Sequence, residues 1–177
     1  SFAALLACGA FCLVLWPLAS KSIVGFGSHI GHLLLVVLRS TPELIITFIG
    51  VLIVGPSMLP AIIALALHNG AIIAYLLAKT ADRSPVRVDS PGGFDLWAYE
   101  LQPRIFAPFI AFLLYRFEVI LRESAILGML GVGTLGFYID SAFEALRFDV
   151  AFILILITAA INIVINHLSI SMRRLIK

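Results

Sequence analysis

The chain has 177 residues, of which 62% are hydrophobic and 12% charged, with a mean hydropathy of +1.11 and a formal net charge of +2. Soluble domains carry roughly 45–50% apolar and 25% charged residues, so the composition excludes an ordinary water-soluble domain and points to a membrane. The small, scattered positive charge gives no basis for a nucleic-acid surface.

About 20 apolar residues cross a bilayer core, and five stretches reach that length or come close to it. The first, 2–19, ends near Pro17 and Lys21. Its Cys8 and Cys12, one helical turn apart, read as small packing residues rather than as a disulfide or metal pair. The run starts at once from Ser1, with no methionine, basic stretch or cleavage site ahead of it. It is therefore expected to be a spanning helix in a piece of a longer chain, not a signal peptide. The second stretch, 29–54, contains Pro42, which removes a backbone donor and predicts a kink. The third, 58–79, has Pro60 in its first turn, where the missing N–H costs little. A polar insert at 80–104 separates it from the fourth, 105–128, and the fifth is 150–168. Together they predict an all-α, polytopic membrane helix bundle with 1–177 as a single domain.

Lys and Arg collect on the cytoplasmic side of membrane proteins. Lys21, Lys79, Arg83, Arg87, Arg104, Arg173, Arg174 and Lys177 fall on one side of these spans and Arg147 alone on the other. The insert and the C-terminus are thus expected in the cytoplasm, and Ser1 and the loop 128–149 outside.

The fourth span carries Arg116, Glu118, Arg122 and Glu123 within an otherwise apolar run. Each charge at bilayer depth costs about 2.5–3.5 kcal/mol even on the lenient insertion scale, so all four must face protein or water. At 100° per residue Arg116 and Glu123 share one stripe, and Glu118 and Arg122 another roughly 130° away. Two polar faces place this helix at the centre of the bundle or at a subunit interface. Glu118 and Arg122 stand in the favoured i,i+4 order for an ion pair. The four either line a solute pathway or only fix packing.

Other polar positions have the same two readings. Arg39 and Glu43 flank Pro42 in LRSTPEL and mark either a pathway wall or the depth of the headgroups, where long side chains snorkel. His68 and Asn69 interrupt the third span, followed by Gly70, and either line a conduit or make one interhelical hydrogen bond at a close approach. Asn162 and Asn166, a turn apart on the fifth span, read likewise. Gly131, Gly133 and Gly136 spell G-x-G-x-x-G but follow a membrane helix rather than a strand, so they are no dinucleotide fingerprint. His29 and His32 lack carboxylate or thiol company for a metal, and no serine sits in a nucleophile elbow.

Within the insert Phe94, Trp97 and Leu101 recur at i, i+3 and i+7, predicting a short helix with one apolar face that lies on the membrane or docks on a partner.

The segments LRSTPEL (38–44), ALALHNGAIIAYLLAK (64–79) and LLYRFEVILRESAILGMLGVGTLG (113–136) resemble the permease subunit of phosphonate-type ABC importers, over nearly the whole chain. The resemblance implies the five-helix core of a type I ABC importer transmembrane domain in a bacterial inner membrane. Two such cores, as a homo- or heterodimer, form an alternating-access pathway for phosphonate or a related phosphorus oxyanion. It implies a periplasmic or surface solute-binding protein that delivers the solute, and an ATP-binding cassette ATPase that holds ATP and Mg. It further implies that this chain itself binds no cofactor and is not an enzyme. The insert stands where the family's coupling helix docks on the ATPase, which assigns Gly93, Phe94, Trp97, Tyr99, Leu101 and Pro103 to coupling, with Pro103 and Pro108 near the family's two prolines. Arg116, Glu118, Arg122, Glu123, His68, Asn69, Arg39 and Glu43 become pathway candidates. The insert departs from the family form: no Glu-Ala-Ala precedes its glycines, and Gln102 stands where leucine would precede the proline. Two alternatives use the same charges, an ion-coupled secondary transporter relaying protons through them and a non-transporting scaffold in which they specify assembly.

Overall fold

The computed structural model describes residues 1–85 and 93–175, the last three by backbone alone. The expectations placed on Arg87 and Lys177, and on the side chains of Arg173 and Arg174, fall outside it.

Among the described residues seven α-helices of ten residues or more follow one another: α1 Phe2–Ala19, α2 Ser28–Ser40, α3 Glu43–Val54, α4 Met58–Arg83, α5 Gln102–Ile126, α6 Leu135–Glu144 and α7 Phe148–Leu175. A helical turn at Lys21–Val24 and a tight one at Gly25–Gly27 lead into α2. No strand occurs among the described residues. Phe2–Ala19, Lys21–Ser40, Met58–Arg83 and Phe148–Met172 are each long and apolar enough to cross a membrane. Helix α5 has 25 residues, about 37 Å at 1.5 Å per residue, and matches them in length despite its charges. The protein is an all-α membrane helix bundle.

The second stretch is two helices rather than one kinked helix. Thr41, restricted by the proline after it, is extended (φ −81°, ψ 121°), and α3 starts afresh at Glu43.

At the centre lies α4, not the charged α5. In α4, 61% of the apolar window is buried against only 6% in α7. The reason is compositional: Ala64, Ala71, Ala74, Ala78 and Ala81 are all buried, and small side chains let helices approach where lipid supplies no hydrophobic drive. Around it pack α1, α2, α3 and α5. At Gly70 an added Cβ would lie 3.0 Å from the Phe11 ring and 3.2 Å from the Cys8 carbonyl, so α1 and α4 approach closely here. Cys8 and Cys12 are buried free thiols within that core.

The stretch 128–149 holds α6, a helix that the sequence pattern did not reveal. A Cβ on Gly136 would overlap the Ala125 carbonyl, so α6 folds back directly onto the end of α5. The glycine-rich segment thus serves a backbone contact.

Candidate functional site

The break between α2 and α3 leaves the Thr41 carbonyl without a helical partner, since Ile45 N–H goes to Pro42 instead. His68 on α4 takes it: its Nδ1 lies 2.9 Å from that oxygen, which can only accept, so the ring donates. The other ring nitrogen, Nε2, faces Glu43 Oε2 at 3.6 Å.

One residue on, Asn69 is fully buried and joins α4 to α5 through both halves of its amide. Its Nδ2 donates to Glu123 Oε2 at 2.9 Å, and its Oδ1 accepts from Arg116 Nη1 at 3.3 Å. Arg116 and Glu123 stand seven residues apart, about 10.5 Å along the helix, and the amide spans the interval between them. An amide can donate to an anion and accept from a cation at once, which a hydroxyl-free apolar side chain or a single charge cannot. The first stripe of α5 thereby forms a continuous Arg116–Asn69–Glu123 chain.

The second stripe behaves otherwise. Arg122 Nη2 donates to Glu118 Oε1 at 2.8 Å, but the Arg122 side chain is 64% exposed. In this single chain that pair faces outward. Arg39 lies apart from the network, its guanidinium 4.0 Å from the centroid of the Tyr75 ring. Of the eight pathway candidates the fold thus links Arg116, Asn69 and Glu123 in one group and His68 and Glu43 in a neighbouring one. Glu118 with Arg122, and Arg39, stand elsewhere. Asn162 lines a cavity of about 320 Å³ that Ser124, Thr134 and Thr158 also line.

At the end of the bundle where α1 closes, residues 96–101 form a wide turn of π-helix that runs straight into α5. This replaces the expected short helix with Phe94, Trp97 and Leu101 on one face. In a turn closed by i→i+5 bonds, residues five apart align, and the buried pair is Leu96 and Leu101. Phe94 and Tyr99 instead project, 71% and 80% exposed. The Phe94 and Trp97 rings lie 5.0 Å apart and line a groove of about 510 Å³ against Leu13, Val14 and Pro17 of α1. Gly93 adopts φ +68°, and Pro103 occupies the first turn of α5. The buried Trp97 Nε1 and Gln102 Oε1 have no hydrogen-bond partner. Arg104 ties the insert down by donating to Glu100 at 2.6 Å and to the Pro85 carbonyl.

Two polar contacts escaped the sequence reading. Asp82 accepts from Ser20 Oγ at 2.7 Å and from Ser22 N and Oγ, each at 3.2 Å. Tyr75 receives Lys79 as well as Arg39, the ammonium 4.5 Å from the ring centroid. An Asp near the end of one helix and a Ser-Lys-Ser turn were the available signals for the first.

The described residues thus form a multi-pass membrane helix bundle in which the Asn69 amide joins an arginine and a carboxylate of the neighbouring helix. The comparisons agree with the resemblance read from the sequence. The chain is 31% identical over 142 residues to the phosphite transport system permease protein PtxC of Stutzerimonas stutzeri, a match covering 76% of this chain and 52% of that one. It is 29% identical to the phosphate-import permease protein PhnE of Mycolicibacterium smegmatis, over 78% of this chain and 27% of the relative. The putative phosphite transport system permease protein HtxE of Stutzerimonas stutzeri is 28% identical over 63% of this chain and 45% of its own. This chain is thus a homologue of phosphite and phosphate transport permeases and spans about half the length of two of them and about a quarter of the third. No family model and no solved structure matches it.

Proposed function

We propose that the chain is a membrane-spanning permease subunit of an ATP-driven importer and forms half of the translocation pathway for a phosphorus oxyanion such as phosphite, phosphate or a phosphonate. The observation that carries this reading is the part-buried Arg116–Asn69–Glu123 chain in a homologue of permeases named for those solutes. An oxyanion in a low-dielectric core needs positive charge and donors that compensate it without trapping it. Arg116 supplies the charge, and Glu123, sharing the same amide, moderates it.

The rest of the machine is inferred from the family. A second permease copy, identical or related, covers the Glu118–Arg122 stripe, which would otherwise meet lipid. An ATP-binding cassette ATPase with ATP and Mg docks on the projecting Phe94 and Tyr99 and the groove beside Trp97. A solute-binding protein delivers the oxyanion from outside, and the C-terminus lies in the cytoplasm of a bacterial inner membrane.

The test is uptake into proteoliposomes that hold the full-length permease, its ATPase and its binding protein. Phosphite, phosphate and methylphosphonate are the solutes, with Arg116→Gln and a Phe94→Ala/Tyr99→Ala double variant beside the wild type. The expected result is ATP-dependent uptake of at least one solute, indifferent to uncouplers, abolished by Arg116→Gln, with the ATPase no longer retained by the double variant. Uptake that runs without ATP and collapses with an uncoupler would instead establish an ion-coupled transporter.

A further inference from the structure

The fold strips two cations of the carboxylates that their sequence neighbours offer. Lys79 has Asp82 three residues on and Arg39 has Glu43 four residues on, spacings that make neighbours on an unbroken helix. Asp82 is instead taken up by three hydrogen bonds from the turn at Ser20 and Ser22. Glu43 is carried past the Thr41–Pro42 break and faces His68 at 3.6 Å. No ion pair among the described residues includes Arg39 or Lys79.

Both cations converge on one ring. The Arg39 guanidinium lies 4.0 Å and the Lys79 ammonium 4.5 Å from the Tyr75 centroid, and the His32 ring is 4.7 Å from it. Arg39 and Tyr75 are half-buried and Lys79 exposed, so the cluster opens outward between α2 and α4. The electron-rich ring face attracts each cation but removes no charge, and two like charges that these distances set at most about 8.5 Å apart repel until an anion joins them. A planar guanidinium beside a compact ammonium suits a tetrahedral oxyanion, the first by paired donors and the second as a point charge.

We propose that Arg39 and Lys79, set around Tyr75 between α2 and α4, form a binding site for a phosphoryl oxyanion, distinct from the Arg116–Asn69–Glu123 network. His32 adds a ring nitrogen at its edge. The anion is the phosphodiester of an anionic lipid, as in basic pockets between membrane helices, or a free phosphorus oxyanion from solution. The site stands on these contacts alone and does not need the import reading.

The full-length chain in phosphatidylcholine nanodiscs separates the two sources. In one arm, native mass spectrometry measures retained phosphatidylglycerol. In the other, the shift in thermal midpoint is titrated with inorganic phosphate and phosphite, sulfate serving as control. The expected result is that wild type binds one of these probes and that Arg39→Gln/Lys79→Gln weakens it at least tenfold. Loss in the first arm assigns the site to lipid and loss in the second to solute. Should the double variant not fold, Lys79→Gln alone decides, since that side chain is exposed, and it is expected to weaken binding at least threefold. A wild type that binds neither probe, or variants that bind both as the wild type does, would overturn the proposal.

Discussion

Replacing Asn69 by leucine removes both bonds of the amide at once, the donation to Glu123 and the acceptance from Arg116. In soluble proteins a hydrogen bond to a charged group contributes about 1.5–3 kcal/mol. Between membrane helices the measured average is about 0.6 and the maximum about 1.7 kcal/mol, because the unfolded chain in the membrane also finds partners. Two such bonds therefore total about 1–3 kcal/mol. The upper end is favoured because Asn69 is fully buried and Glu123 would lose the donor facing it. The assay is a double-mutant cycle of wild type, Asn69→Leu, Glu123→Gln and the double variant, by denaturant unfolding in mixed micelles. We expect Asn69→Leu to destabilise by about 2 kcal/mol and the 69–123 coupling to be about 1 kcal/mol. Additive effects, within the ~0.3 kcal/mol seen for independent sites, would refute the network.

Gly136→Ala places a methyl group against the Ala125 carbonyl and must lever α6 off α5, at the roughly 1–3 kcal/mol of overpacking; a lowered thermal midpoint is expected, and an unchanged one would contradict the contact. Asp82→Ala removes the acceptor shared by Ser20 and Ser22, leaving a buried hydroxyl unsatisfied at a cost of about 1–3 kcal/mol. Amide exchange over residues 20–24 should accelerate, whereas wild-type protection would show that the turn is held by other contacts.

What could be read from the sequence was whatever local punctuation controls. The length of the first apolar run marked Phe2–Ala19, and Pro60 in a first turn marked the start at Met58. The stripes of α5 were legible too, because Arg116 and Glu123 are seven apart, and Asn69 was legible as a polar residue of its span, but not its place between the two. Asn69 enters only through the register of α4 against α5. Pro42 predicted a kink where the helix in fact breaks, and what accompanies the break is a contact 27 residues away, His68 on the Thr41 carbonyl. The centre went to α4 rather than to α5 because a run of alanines allows close approach on several sides, a property that a count of charges does not measure. Helix α6, with 10 residues, was too short to register as a span. Arg39 and Glu43 stand four apart and Lys79 and Asp82 three apart, and only the fold shows Glu43 drawn to His68 and Asp82 to Ser20 and Ser22.

The central claim is that the stripe of α5 bearing Arg116 and Glu123 meets water inside the membrane. With Cys8 and Cys12 replaced by alanine, Val119→Cys puts one thiol beside that stripe, and Ile157→Cys puts one on the exposed apolar surface of α7. Labelling of the assembled protein in vesicles with a charged, membrane-impermeant maleimide should modify the thiol at 119 and spare the one at 157. A thiol at 119 that resists this reagent and reacts only with a lipid-soluble one would show hydrocarbon or dry packing there, and no route for an anion along this face.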